Sequence, residues 1–138
     1  MRVLYADTSA FIALIWRRDR SHTRVRDHYF RLRDRGDALL TSNLALAETA
    51  TRLRYDAGLA AAIAFRSLIE EAVASGRLAV RYADADLDRK AWDLMERYSD
   101  RNLSFADCAG AVTAREASAA AVFGLDTDFS VLGFPLEP

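Results

Sequence analysis

The chain has 138 residues, two histidines, one cysteine and a net charge of −1. The lone Cys108 excludes an internal disulfide framework and a cysteine-rich zinc site, and the near-neutral charge excludes a general polyanion binder. Hydrophobic residues make up 51%, enough for one compact core, so the expectation is a single domain over residues 1–138. No charged leader precedes an apolar stretch and no apolar run reaches membrane-spanning length, which gives the expectation of a soluble cytoplasmic protein without a membrane partner.

In chain order, Arg2–Ala6 reads as a strand, followed by a short helix from Ser9 to Trp16. Ser21 to Arg35 reads as a helix ended by Gly36. Its apolar stripe is His22, Val25, Tyr29 and Leu32, and the stripe Arg24, His28, Arg31 and Arg35 is expected to face water. A second strand is expected at Ala38–Thr41, then a helix capped by Ser42 or Asn43 and running to Asp56. Gly58 breaks the chain before a helix over Leu59–Ser75, and Leu78–Tyr82 reads as a third strand. Asp84 or Asp86 caps the next helix, which carries Leu87, Ala91, Leu94, Met95 and Tyr98 at helical spacing. Ser104 caps a helix reaching Glu116, Ala120–Gly124 forms a fourth strand, and Val131–Leu136 is expected to add a short last one. Alternating strands and helices predict an α/β fold, a short parallel sheet covered by helices.

Five acids fall where strands end or helices begin: Asp7, Glu48, Asp107, Asp126 and Asp128. In a parallel sheet the carboxyl ends of the strands lie together and form the usual ligand crevice. Carboxylates gathered there repel one another and raise each other's pKa unless a cation intervenes. Oxygen donors suit Mg²⁺ or Mn²⁺, and such a centre can activate water and stabilise a departing phosphate oxygen. The chain has no P-loop, no dinucleotide fingerprint and no nucleophile elbow. Taken singly, each acid has an ordinary role: Asp7 as a helix cap, Glu48 as a solvated helical residue, Asp107 in a first helical turn, Asp126 and Asp128 in a turn.

Charge is unevenly spread. Residues 1–60 hold 11 arginines against seven acids, whereas the remainder holds eight bases against 13 acids. The run Arg17, Arg18 and Arg20 reads as a solvated surface, with a track for an RNA backbone as the sharper alternative.

Four segments, in order, carry a resemblance to the PIN-domain ribonucleases and, within them, to VapC-type toxins of toxin–antitoxin pairs. They are Tyr5-Ala6-Asp7-Thr8-Ser9-Ala10, Asn43-Leu44-Ala45-Leu46-Ala47-Glu48-Thr49, Leu103-Ser104-Phe105-Ala106-Asp107-Cys108 and Gly124-Leu125-Asp126-Thr127-Asp128-Phe129. The resemblance implies a three-layer α/β/α fold and Mg²⁺- or Mn²⁺-dependent cleavage of RNA. It implies that Asp7, Glu48, Asp107 and Asp126 are the catalytic, metal-binding acids and Asp128 a supporting neighbour acting through water. Thr8 or Ser9, and Ser104, match small hydroxyl positions that orient the acids. It further implies a homodimer and a small VapB-type antitoxin that covers the groove. Two other readings keep the same fold: a nuclease or phosphatase for another phosphate ester, and a non-enzymatic binding module. A phosphatase of the DxD type is disfavoured because Asp7-Thr8-Ser9 stands at the first strand end.

Overall fold

The computed structural model describes residues 1–138. Strand β1 (Val3–Ala6) leads into helices α1 (Thr8–Ile15) and α2 (His22–Asp34). Strand β2 (Ala38–Ser42) is followed by α3 (Asn43–Asp56) and α4 (Leu59–Ala74), and β3 (Leu78–Arg81) by α5 (Ala85–Arg97) and α6 (Phe105–Glu116). The chain closes with β4 (Ala121–Phe123), α7 (Asp128–Val131) and β5 (Leu136–Glu137). None of these helices is long and apolar enough to cross a membrane.

The five strands form one parallel sheet in the order β3-β2-β1-β4-β5. The chain winds outward from β1 to β3, then returns to the other side of β1 with β4. That reversal makes the carboxyl ends of β1 and β4 a topological switch point, where parallel sheets open a crevice.

Alternation along β1 sends its side chains to two cores. Leu4 and Ala6 join Phe11, Ile12, Val25, Leu32, Leu53 and Phe65 on one face. Tyr5 joins Leu87, Leu94, Leu103, Cys108 and Phe129 on the other. Helices cover both faces, so the layers are α/β/α, as expected. Tyr5 is fully buried, and its ring lies so close to α6 that a Cβ on Gly110 would come within 2.6 Å of the phenol oxygen. Glycine there lets α6 settle onto the sheet. The Tyr5 hydroxyl shares a 3.3 Å hydrogen bond with Ser42 Oγ, which also accepts the Ala45 N–H and caps α3.

Two expectations are corrected. The segment 131–136 is not one strand. Asp126 Oδ1 accepts the Asp128 N–H at 2.9 Å and starts α7, so pairing resumes only at Leu136–Glu137. His28 does not face water. Its Nε2–H donates to Glu137 Oε1 at 3.1 Å, and its ring lies 5.9 Å from that of Phe123. Arg2 holds the same Glu137 at 2.7 Å and Asp37 at 3.1 Å. The Arg2 guanidinium, aided by the His28 bond and working against burial, leaves the Glu137 carboxyl below its usual range.

Candidate functional site

Asp7 follows the last residue of β1, and its N–H donates to Phe123 O on β4. It occupies the N-cap position of α1 but makes no side-chain capping bond, so its carboxylate is not spent on the helix start. Only 4% of the residue is exposed. Ser9 Oγ donates to Asp7 Oδ2 at 2.8 Å and accepts the Leu125 N–H at 2.9 Å, which ties β1 to the segment after β4. The two segments approach closely because Gly124 has no side chain: a Cβ there would lie 3.0 Å from Asp7 Cβ.

Asp107 sits in the first turn of α6, where Ser104 caps the helix. Ser104 Oγ accepts the Asp107 N–H at 3.0 Å, and Asp107 Oδ2 receives the Ser104 N–H at 3.4 Å. Asp126 and Asp128 flank the turn into α7. Carboxylate oxygens of Asp107, Asp126 and Asp128 all lie within 4.8 Å of one another. All three residues are half-buried.

Burial pushes the Asp7 carboxyl up to about 6; the Ser9 hydroxyl pulls against this and the Asp126 charge adds to it. Burial, then the charges of Asp7 and Asp126, push Asp107 up to about 7. Asp7, Asp107 and Asp126 therefore share one electrostatic site. Burial also lifts the Tyr5 hydroxyl well above its ordinary value, with Asp7 and Asp107 contributing, so the group beneath the acids stays neutral. Burial and Asp107 push the Cys108 thiol up to about 11, making it a buried, protonated side chain.

Asp128, expected as a supporting neighbour, is one of the three converging carboxylates, and Asp7 stands beside them. Glu48 lies half-buried on α3, one turn after Ala45, and is not part of the group of three. Its helical neighbours Ala47 and Thr51 are both exposed. Thr8 does not orient an acid: its Oγ1 donates to Ala45 O at 3.3 Å and locks α1 against α3. Ser9 and Ser104 do contact acids. Arg17, Arg18 and Arg20 are exposed on the turn between α1 and α2. Gly124 escapes a search for reactive side chains; a glycine directly after an apolar strand is its one sequence signal.

The carboxylates fit a hard divalent cation. They are oxygen donors close enough to share an ion, and a cation would offset both the burial of Asp7 and Asp107 and the neighbouring charges that act on them. A parallel α/β domain with acids collected at its switch point is the architecture of a carboxylate-centred metal site. The particular family follows: the chain belongs to the PIN domain family, whose model matches residues 4–135.

Curated relatives include the 23S rRNA-specific endonuclease VapC20 of Mycobacterium tuberculosis, from strains CDC 1551 / Oshkosh and H37Rv. Each is 29% identical over 132 residues, covering 96% of this chain and 95% of the relative. Among solved structures, the crystal structure of M. tuberculosis VapC20, a sarcin–ricin loop cleaving toxin, matches with a TM-score of 0.82 at 30% identity. That match covers 95% of each chain.

Proposed function

We propose that the chain is a metal-dependent endoribonuclease, the toxin of a type II toxin–antitoxin module. The observation that carries this reading is the convergence of Asp107, Asp126 and Asp128 beside buried Asp7, in a chain belonging to the PIN domain family. Likeness to VapC20 over nearly the whole chain supports RNA as substrate and structured ribosomal RNA as the class to test first.

Asp7, Asp107 and Asp126 would hold Mg²⁺ or Mn²⁺, with Asp128 and Glu48 completing the acidic lining. When bound, the cation would supply Lewis-acid stabilisation and a more acidic water for phosphodiester hydrolysis. The chain's own residues do the positioning. Ser9 fixes the Asp7 carboxylate, the Ser104 cap fixes Asp107, and the Asp126–Asp128 turn fixes the remaining pair. Tyr5 closes the floor with an apolar ring and keeps water from entering beneath.

A VapB-type antitoxin and a second copy of the chain are the partners this reading carries. The test is cleavage of ribosomal RNA by the purified protein with Mn²⁺ or Mg²⁺, with chelator, and after Asp7→Asn. Cleavage that survives either the chelator or the substitution rejects the metal mechanism. Mn²⁺ titration followed by thermal unfolding gives a second readout independent of activity.

A further inference from the structure

The carboxylate site leaves the basic turn between α1 and α2 without a role. Arg17, Arg18 and Arg20 are exposed on that turn, and Arg24 is exposed at the start of α2. None of the four pairs with a carboxylate. By contrast, Arg26 and Arg33 on the same helix each hold the neighbouring aspartate at 3.2 Å. The one acid in the run, Asp19, is partly engaged, because its Oδ1 accepts the Ser21 N–H at 2.8 Å.

Arg20 and Arg24 line an open groove of about 560 Å³ together with Asp19, Ser21 and Leu125. Leu125 is the residue before Asp126, so the groove and the acidic group meet at one backbone step. The same Leu125 N–H is bonded to Ser9 Oγ, the hydroxyl that holds Asp7. The groove wall is thus fixed in register with the acids.

We infer that the Arg20–Arg24 groove is a subsite for a non-scissile phosphate of the RNA strand being cut. The inference rests on the endoribonuclease reading and adds the direction in which the strand leaves the acidic group: over Leu125, toward the start of α2. Arginine suits this task because its planar fork bonds phosphate oxygens in pairs and keeps its charge at every working pH. Contacts of this kind set position and affinity without reading bases.

The test compares Arg20→Gln/Arg24→Gln with the unaltered protein and with Arg77→Gln, an exposed arginine preceding β3. Cleavage of purified ribosomal RNA with Mn²⁺ is measured alongside binding of a labelled oligouridylate over a salt series. Loss of the subsite raises KM by about tenfold or more and leaves kcat within about twofold, because the contact is made equally before and during reaction. The slope of log affinity against log salt flattens by about 0.7 for one phosphate contact. Arg77→Gln leaves both quantities unchanged.

An unchanged KM and salt slope in the double variant, with the parent protein active, overturns the subsite and leaves the endoribonuclease reading standing. A double variant that keeps the RNA slope but resists neutralisation by the antitoxin assigns the groove to an acidic peptide, and also overturns the inference. If the parent protein neither binds nor cleaves RNA with Mn²⁺, both readings fall together.

Discussion

Ser9 Oγ lies 2.8 Å from Asp7 Oδ2 and donates its proton to it, while accepting the N–H of Leu125 from the segment that leaves the adjacent strand β4. One hydroxyl therefore satisfies a buried carboxylate and a loop amide at once. Ser9→Ala leaves both without that partner and is expected to cost about 1–3 kcal/mol of stability. Urea unfolding at pH 7 measures it. A loss confined to less than a few tenths of a kcal/mol would show that water replaces the hydroxyl without penalty.

Stability should depend on pH in an unusual sense. Asp7 and Asp107 rise from an ordinary 3.8 to about 6 and about 7 in the fold. The folded state binds their protons more tightly than the unfolded state does. Their contribution is fully present below the ordinary value and is lost as pH rises through about 6 and then about 7. Cation-free protein should thus lose stability from these groups across that window. Mn²⁺ should reverse the loss, by about 2.7 kcal/mol at a hundredfold excess over its Kd. Melting curves with chelator and with Mn²⁺, from pH 4 to 8, test both halves.

Asp107→Asn separates stability from function. Removing one charge from the group should raise the melting temperature of cation-free protein at pH 8. The same change should lower RNA cleavage by at least about a hundredfold, since an oxygen ligand is lost. A variant that melts earlier and cleaves normally would place Asp107 in the cap alone.

Gly124→Ala tests the close approach of β4 to Asp7. The added methyl would lie 3.0 Å from Asp7 Cβ and 3.1 Å from Ser9 Oγ, so these neighbours must give way by a few tenths of an ångström. Overpacking of this kind costs about 1–3 kcal/mol. Mn²⁺ should then stabilise the variant less than the parent protein, because Asp7 is displaced. An equal Mn²⁺ shift would show that the crowding is relieved elsewhere.

Much of this architecture is legible in the sequence because its signals are local. The strand–helix alternation, the Ser42, Asp84 and Ser104 caps and the strand-end acids all follow from short-range patterning. What escapes such reading depends on partners far away in the chain. His28 looks solvated on its helix and is held by Glu137, 109 residues later. Asp128 looks like a turn residue; it opens α7 instead, and its carboxylate lies within 4.8 Å of those of Asp107 and Asp126. Thr8 resembles an acid-orienting hydroxyl, yet the carbonyl of Ala45 on α3 claims it. Gly124 matters through a side chain it lacks, which no search for reactive groups would find.

The bond from Leu125 to Ser9 joins residues 116 positions apart. Closing so large a loop is entropically costly and slow compared with forming the local helices. The acidic centre is therefore expected to be completed late in folding, when β4 docks beside β1. A chain stopping short of β4 would carry the helices of the first core but lack Asp126 and Asp128, and with them an assembled acidic centre.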